Sequence, residues 1–299
     1  MKPTLTQVLC LLTVTAVAGI SHAEEKTLTL DSRGLESMTI DAGAGLLVVK
    51  GMNNTDEIRV EASINADADD YELTLKKVGD TAHLVSKIEG FSGIIFGRGP
   101  YIDLEVYLPS SLTLSVDDGS GDMSIDNINA SVRVNDGSGS MKVTNIKGDL
   151  DVNDGSGDME LVSVSGDVDI SDGSGSINVK EVGGKLKAND GSGDFKATDV
   201  KGGVDIIDGS GSLTFSKIDG AVDLDDGSGD IRLEDVVGDV EVTDGSGSIR
   251  ITNVDGHVEI HDGSGDIRVA AVTKGLNVAE DGSGSVSTDN VQGEIQLAD

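Results

Sequence analysis

Apolar and polar residues alternate along most of the chain, and from Asp118 onward this alternation recurs with a period of 18 residues at every step but the last, which is 19. Counted from the Asp that opens each repeat, apolar residues fall at positions 6, 8, 11, 15 and 17. In the repeat that opens at Asp226 they are Ile231, Leu233, Val236, Val240 and Val242. A spacing of two is the period of a β-strand, and Val, Ile and Leu suit a half-buried pleated surface. Each repeat therefore predicts two short strands.

Glycine-rich segments separate these strands. The tetrapeptide Asp-Gly-Ser-Gly occurs ten times and predicts one corner of the repeat, and a glycine at position 13 of most repeats predicts a second turn. Between positions 8 and 11 the spacing of three reverses the strand parity, so the backbone must bend there. One repeat is thus one coil, made of two strands, a bend and two turns.

A single coil cannot bury its five apolar side chains, but stacked coils can, because each strand pairs with its copies about 4.8 Å above and below. The strict period predicts an all-β fold, a parallel β-solenoid (β-helix) of about ten 18-residue coils. The handedness of the coil does not follow from the sequence.

The first Asp of each tetrapeptide admits two interpretations. In an Asx-turn its carboxylate accepts backbone N–H groups of the following residues, which lowers its pKa. In a cation ladder, Ca²⁺ bridges the oxygens of adjacent coils, and this is the one cofactor that the chain suggests. These turn aspartates are Asp118, Asp136, Asp154, Asp172, Asp190, Asp208, Asp226, Asp244, Asp262 and Asp281.

The residue after each tetrapeptide alternates between Asp and Ser. The alternation separates like charges along a ladder, where carboxylates one coil apart would repel. It also predicts a surface lattice of carboxylates two coils apart, which could bind a partner. The acidic members of the row are Asp122, Asp158, Asp194, Asp230 and Asp266.

The chain divides into three parts. Residues 1–23 have the basic start, apolar run and small-residue end of a secretory signal peptide, and the run is short for a transmembrane span. Residues 24–110 alternate less regularly and predict an N-terminal β cap region over the open end of the stack. Residues 111–299 form the β-solenoid repeat domain.

Residues 89–101 combine apolar side chains with several glycines. Such a segment is typical of an apolar loop that contacts a partner or a membrane surface. It also suits a lid packed over the first coil. The candidate contact residues are Phe91, Ile94, Ile95, Phe96 and Arg98.

Charge and composition exclude several functions. With 54 acidic and 22 basic residues, the formal net charge is −32, which opposes nucleic-acid binding and adsorption to anionic lipid. No group of residues forms a catalytic constellation, because serines and carboxylates recur equally in every turn. We therefore predict that the protein is not an enzyme.

The consensus Asp-Gly-Ser-Gly-Asp-Ile-x-Leu-x-x-Val-x-Gly-x-Val-x-Val resembles the bacterial putative-adhesin family, a domain-of-unknown-function group of Gly/Asp-rich β-strand repeats. The segment Leu104–Pro109 also resembles that family's entry strand. The resemblance covers residues 35–299, implies a β-solenoid in exported or envelope proteins, and brings no catalytic residues.

These features favour a non-enzymatic exported scaffold, periplasmic or at the cell surface, that binds an envelope polymer, a glycan or a protein. A Ca²⁺-dependent binding module and a polysaccharide-active β-helix enzyme are the alternatives.

Overall fold

The computed structural model describes residues 23–67, 69–88 and 99–298, and every regular element in these ranges is a β-strand. None of them contains a helix that is long and apolar enough to cross a membrane. Of the expected signal peptide, residues 1–22 lie outside the described part of the chain. The first seven strands are β1 (Glu24–Asp31), β2 (Ser37–Ala44), β3 (Leu47–Met52), β4 (Glu57–Asn65), β5 (Tyr71–Val78), β6 (Thr81–Ile88) and β7 (Tyr101–Pro109).

Twenty-one further strands follow, and from here each coil contributes two of them. They are β8 (Thr113–Ser120), β9 (Met123–Ile128), β10 (Val132–Asp136), β11 (Met141–Ile146), β12 (Leu150–Asp154), β13 (Met159–Val164), β14 (Val168–Asp172), β15 (Ile177–Val182), β16 (Leu186–Asp190), β17 (Phe195–Val200), β18 (Val204–Asp208), β19 (Leu213–Ile218), β20 (Val222–Asp226), β21 (Ile231–Val236), β22 (Val240–Asp244), β23 (Ile249–Val254), β24 (Val258–Asp262), β25 (Ile267–Val272), β26 (Leu276–Glu280), β27 (Val286–Val291) and β28 (Ile295–Leu297).

The strands form two 14-stranded sheets. Sheet A contains the odd-numbered strands from β9 to β27, and sheet B contains the even-numbered strands from β8 to β28. From β8 to β25 neighbouring strands are parallel and pair residues 18 apart, so that Ile231 lies opposite Ile249 and Val240 opposite Val258. In the last coil the pairs lie 19 apart, as for Ile267 and Val286. The predicted parallel β-solenoid of about ten coils is confirmed.

The predicted bend lies at position 10 of each coil. There a residue adopts the left-handed backbone conformation, with φ of 62° at Asn127 and 57° at Lys217, and the same occurs in every coil. The ladder skips this residue, so Val143 pairs with Leu161 and Ile146 with Val164, while Asn145 has no partner in the register. The left-handed residue at position 10 therefore turns the strand so that the side chain at position 11 points into the core. Without this turn, the spacing of three from position 8 would place it on the outside.

The core is a set of aliphatic ladders between the two sheets, and it has one aromatic step. Phe195 and Phe215 stack with ring centroids 5.6 Å apart, and both are fully buried. Ala197, also buried, lies opposite Phe215 in the register. The small Ala197 side chain leaves room for the Phe215 ring, so the interior volume stays similar from coil to coil although the side chains differ.

Two coils of the N-terminal region belong to the same stack. Strands β2 and β3 form a coil directly against the first repeat, with Ala42 opposite Asp118 and Ala44 opposite Ser120. Strands β6 and β7 form the next coil outward, although the chain reaches them later. The segment around Gly43 therefore occupies the position that the Asp-Gly-Ser-Gly tetrapeptide has in the repeats.

Antiparallel strands cover the end of the stack beyond β6 and β7. Strand β4 pairs with β7 and then with β1 in sheet A, and β5 pairs with β6 in sheet B. A hairpin turn at residues 78–81 joins β5 to β6, with Gly79 at φ 66°. Reversed strands at this end replace the parallel edge that another coil could otherwise extend.

Candidate functional site

The Asp-Gly-Ser-Gly corners stack backbone on backbone. The Gly139 N–H donates to the Ser156 carbonyl of the next coil at 3.1 Å, and the Gly137 N–H donates to the Asp118 carbonyl at 3.0 Å. A Cβ on Gly139 would lie 1.9 Å from the Gly121 carbonyl oxygen, and its φ is +139°. Both glycines of the tetrapeptide are therefore fixed by close approach between coils.

The first Asp of the tetrapeptide points into the solenoid. In β22 the buried residues are Val240, Val242 and Asp244, which follow the period of two. Nine turn aspartates are buried in this way, with 1–7% of their surface exposed. Asp281, in the last coil, is only partly buried. The column from Asp118 to Asp262, called here the inner aspartates, thus extends the aliphatic ladders to the corner.

The inner aspartates make the Asx hydrogen bond expected from the sequence. In eight of them Oδ1 accepts the backbone N–H of the Ser two residues on, at 2.9–3.2 Å. In all nine, the other oxygen, Oδ2, is buried without a hydrogen-bond partner among the described residues. One oxygen of each carboxyl is therefore stabilised and the other is not.

The predicted direction of the pKa shift was wrong for this column. Burial raises the pKa of Asp118 and Asp244 to about 7, and that of Asp190 to about 6, with neighbouring aspartates adding to the effect. The Ser N–H lowers the pKa by less than desolvation raises it. An inward carboxyl loses water and faces like groups one coil away, and one hydrogen bond does not offset this.

The aspartates after the tetrapeptide, called here the outer aspartates, face solvent. The Asp194 Oδ1 accepts the backbone N–H of Ser212 at 3.0 Å, and the Asp230 Oδ1 accepts that of Ser248 at 2.9 Å. The same bond recurs from Asp122, Asp158 and Asp266. Each outer aspartate therefore caps the next coil by accepting the backbone N–H of its Ser. The Asp/Ser alternation thus supplies hydrogen-bond partners as well as separating like charges.

The described residues contain no group of three or more His, Cys, Asp or Glu arranged to hold a metal ion. Oxygen atoms that a bridging cation would need are also engaged elsewhere, since the Asp118 and Ser138 carbonyls accept hydrogen bonds between coils. What the inner aspartates offer a cation is the unpartnered Oδ2 atom of each carboxyl.

The candidate contact residues Phe91, Ile94, Ile95, Phe96 and Arg98 lie outside the described residues. Their role as a contact loop stays a prediction.

The outward faces of the sheets carry a feature that the sequence analysis missed. Position 7 of each coil forms a row on sheet A, and position 16 forms a row on sheet B. From Lys196 to Arg268 the sheet A row is basic apart from Thr214, and from Asp205 to Glu259 the sheet B row is acidic. Comparing the residues at one position across all coils would have revealed these charged rows, whereas following the pattern along a single coil does not.

A shallow groove of about 610 Å³ follows the acidic row of sheet B over four coils. On one side lie the exposed or half-exposed carboxylates of this row, and on the other lie the residues of the second turn. The carboxylates are Asp205, Asp223, Glu241 and Glu259, and the turn residues include Gly203, Ala221, Asp239 and His257. A similar groove of about 450 Å³ lies beside β8 to β14, from Thr113 to Asp169. Sheet B thus presents an elongated, repetitive surface.

Several solved structures are similar to this chain. A putative cell adhesion protein from Clostridium sporogenes is 11% identical, with 71% of this chain and 99% of that chain covered and a TM-score of 0.34. A putative adhesin from Parabacteroides merdae is 12% identical, with 93% and 98% covered and a TM-score of 0.30. A comparison with curated proteins finds no match. Residues 35–219, more than half of the 299 residues, match the Toastrack DUF4097 family, and the chain belongs to that family.

Proposed function

We propose that this protein is a non-enzymatic, exported, adhesin-like scaffold that binds an extended envelope polymer, a glycan or a protein through its sheet faces. The observation that supports this most is the sheet B groove, where the same outward positions recur once per coil over at least four coils. A partner with its own repeat can contact several coils at once, so individually weak contacts add through multivalency.

The charge of the groove supports a partner with exposed cationic or hydroxyl groups. The carboxylates of Asp205, Asp223 and Glu241 make no hydrogen bond or ion pair with any described residue, so all are available to a partner. Hydroxyl groups of a glycan donate readily to carboxylates, and such charge-assisted bonds are stronger than neutral ones.

A glycan array tests this proposal. We would probe it with the fluorescently labelled chain from residue 24, which contains every described strand, and with the variant D205N/D223N/E241Q. Saturable binding that the variant loses supports the groove, and unchanged variant binding contradicts it. Absence of glycan binding, together with capture of a purified envelope protein through the same carboxylates, moves the proposal to a protein partner.

Export and catalysis need separate measurements. Fractionation of cells that produce the full chain should place it in the periplasm or at the surface, and cytoplasmic retention contradicts export. Release of reducing ends from a bound polysaccharide would instead support the alternative of a polysaccharide-active enzyme.

The Ca²⁺-dependent module is a second proposal, favoured by the nine unpartnered Oδ2 atoms of the inner aspartates. Thermal unfolding followed by circular dichroism, in EDTA and then in millimolar Ca²⁺, decides it. A transition that rises with Ca²⁺ and falls in EDTA supports a cation ladder, and an unchanged transition excludes it.

A further inference from the structure

Sheet A carries a row of stacked cations in a strongly acidic protein. Lys196, Thr214, Arg232, Arg250 and Arg268 occupy the same outward position in five successive coils and lie opposite one another in the strand register. The lysine and the three arginines are exposed. We call these five residues the cationic row. No acidic residue interrupts it, although the chain has more than twice as many acidic as basic residues.

The cationic row is poorly neutralised by its own molecule. Arg232 pairs with Glu234 at 3.0 Å, and Arg268 donates from Nε to the Ser287 hydroxyl at 3.4 Å. Arg250, at the centre of the three arginines, makes no ion pair or hydrogen bond with any described residue. Like charges directly opposite in adjacent strands are unfavourable. The row therefore raises the energy of the isolated molecule and would be relieved by a negative surface.

Earlier coils arrange their charges differently. On the same row of sheet A, the Lys142 ammonium pairs with the Glu160 carboxylate of the next coil at 2.6 Å. On sheet B, the Arg133 guanidinium pairs with the Asp151 carboxylate at 3.0 Å. In both pairs, opposite charges in adjacent coils lie opposite each other in the register and neutralise each other. The segregation from Lys196 onward is therefore not a necessary result of the solenoid.

The matching negative surface lies on the other side of the same coils. Asp205, Asp223, Glu241 and Glu259 are in register at the outward position of sheet B, and we call them the carboxylate row. They line the groove of about 610 Å³. Both rows have the pitch of the coil, because the same coils build both faces.

We propose that the cationic row of one copy docks into the carboxylate row of a second copy, so that rods associate side by side. With the two rods parallel and unstaggered, Lys196 meets Asp205, Arg232 meets Glu241 and Arg250 meets Glu259. One copy keeps a free carboxylate row and the other a free cationic row, so the contact is heterologous and continues as an open lateral array. This inference does not depend on the proposed scaffold function.

A second copy fits these observations better than a foreign polyanion. Guanidinium and carboxylate rows of two copies match in spacing automatically, whereas a foreign polymer would need the coil pitch by coincidence. Exposed ion pairs are individually weak, so several must act together, and the association depends on salt.

Sedimentation velocity of the chain from residue 24 tests this proposal. In low salt we expect a weight-average mass that increases with protein concentration, and in about 1 M salt, where the Debye length is about 3 Å, we expect the monomer alone. The variants R232E/R250E/R268E and D205K/E241K/E259K should each stay monomeric in low salt. A 1:1 mixture of these two variants should associate again, because each supplies the face that the other has lost.

The matched control is R232E/R250E/E241R/E259R, which exchanges the two faces at constant net charge. It should associate with itself and not with the unmodified chain. Circular dichroism establishes that each variant keeps the solenoid, since all of the changed side chains point outward.

Three results would overturn the proposal. The first is an unmodified chain that stays monomeric in low salt at every concentration. The second is association that persists in both single-face variants, which would place the contact elsewhere, for example along the exposed strands β27 and β28. The third is a monomer that binds heparin through the three arginines, which would make the occupant a polyanion.

Discussion

In every second corner one Asp opens the Asp-Gly-Ser-Gly tetrapeptide and another follows it, and these two aspartates differ in almost every physical property. Asp190 is 1% exposed and burial raises its pKa to about 6, whereas Asp194, four residues later, faces solvent. Each accepts one backbone N–H through Oδ1, from Ser192 for Asp190 and from Ser212 for Asp194. The Asp190 bond closes a turn within one coil, and the Asp194 bond joins two coils.

This difference shows that a hydrogen bond does not by itself set the state of a carboxyl. The environment of the second carboxyl oxygen makes the difference. The Asp190 Oδ2 is buried and has no hydrogen-bond partner among the described residues, whereas the Asp194 carboxylate is exposed to water. An exposed carboxylate keeps its hydration, whereas a buried one loses it. The inner aspartates also repel one another along the column.

The largest expected effect is the pH dependence of the unmodified protein. Because the inner aspartates have raised pKa values, the folded state binds more protons than the unfolded state between about pH 4 and pH 7. Their favourable contribution is complete below the unfolded pKa and is lost as the pH rises through 6 to 7. For one group, a shift from 3.8 to about 6 corresponds to about 3 kcal/mol. Denaturant unfolding should show the solenoid more stable at pH 5 than at pH 8, and equal or greater stability at pH 8 would refute this account.

A substitution that disrupts the stacking of one Asp-Gly-Ser-Gly corner should have the next largest effect. In Gly211→Ala the new Cβ would lie 1.6 Å from the Gly193 carbonyl oxygen, at a residue with φ of +146°. We expect a loss of about 3 kcal/mol or more in the free energy of unfolding. The control is Ser210→Ala, where the hydroxyl makes no hydrogen bond with a described residue. Similar stability for both variants would show that the corners are not closely stacked.

Neutralising one inner aspartate should sharpen the contrast with its outer neighbour. At pH 8, Asp190→Asn removes a buried charge and leaves an amide donor without a partner, so we expect a net gain of about 1–2 kcal/mol. At pH 5 the gain should disappear, because the carboxyl is then protonated. Asp194→Asn, as the control, should change stability little at either pH. A loss of stability in Asp190→Asn at pH 8 would indicate that the charged form has a partner, such as a bound cation.

The smallest effect concerns the outer cap. Asp194→Ala removes the acceptor of the Ser212 N–H, which water can replace at this exposed site, so we expect a loss of about 0.5–1 kcal/mol. Ser212→Ala keeps the N–H and should have no effect. Thermal unfolding measures both variants, and an equal loss in Ser212→Ala would contradict the assignment of the Asp194 carboxylate as the acceptor of the Ser212 N–H.

Much of the fold could be predicted from the sequence. The spacing of Ile231, Leu233, Val236, Val240 and Val242 gave the two strands, and the change of parity gave the bend. The inward direction of Asp244 also follows from this period, since it lies two residues after Val242. It was missed because a turn tetrapeptide suggests exposure, and the predicted fall in pKa was wrong for the same reason.

Other features were not accessible in this way. The order of the N-terminal coils, with β2 and β3 lying between β6–β7 and the first repeat, does not follow the order of the chain. The cap that Asp194 provides for Ser212 joins residues 18 apart, and it exists only once two coils are stacked.

The sequence by itself determined the coil, its register and its inside and outside, because a strict period of 18 aligns every residue with its own copies. Only the tertiary structure decided how strongly each carboxyl is desolvated and which charges lie near it. Desolvation at Asp190 and repulsion from Asp172 and Asp208 arise when neighbouring coils close over it, and these forces depend on distances that the chain acquires only when it stacks.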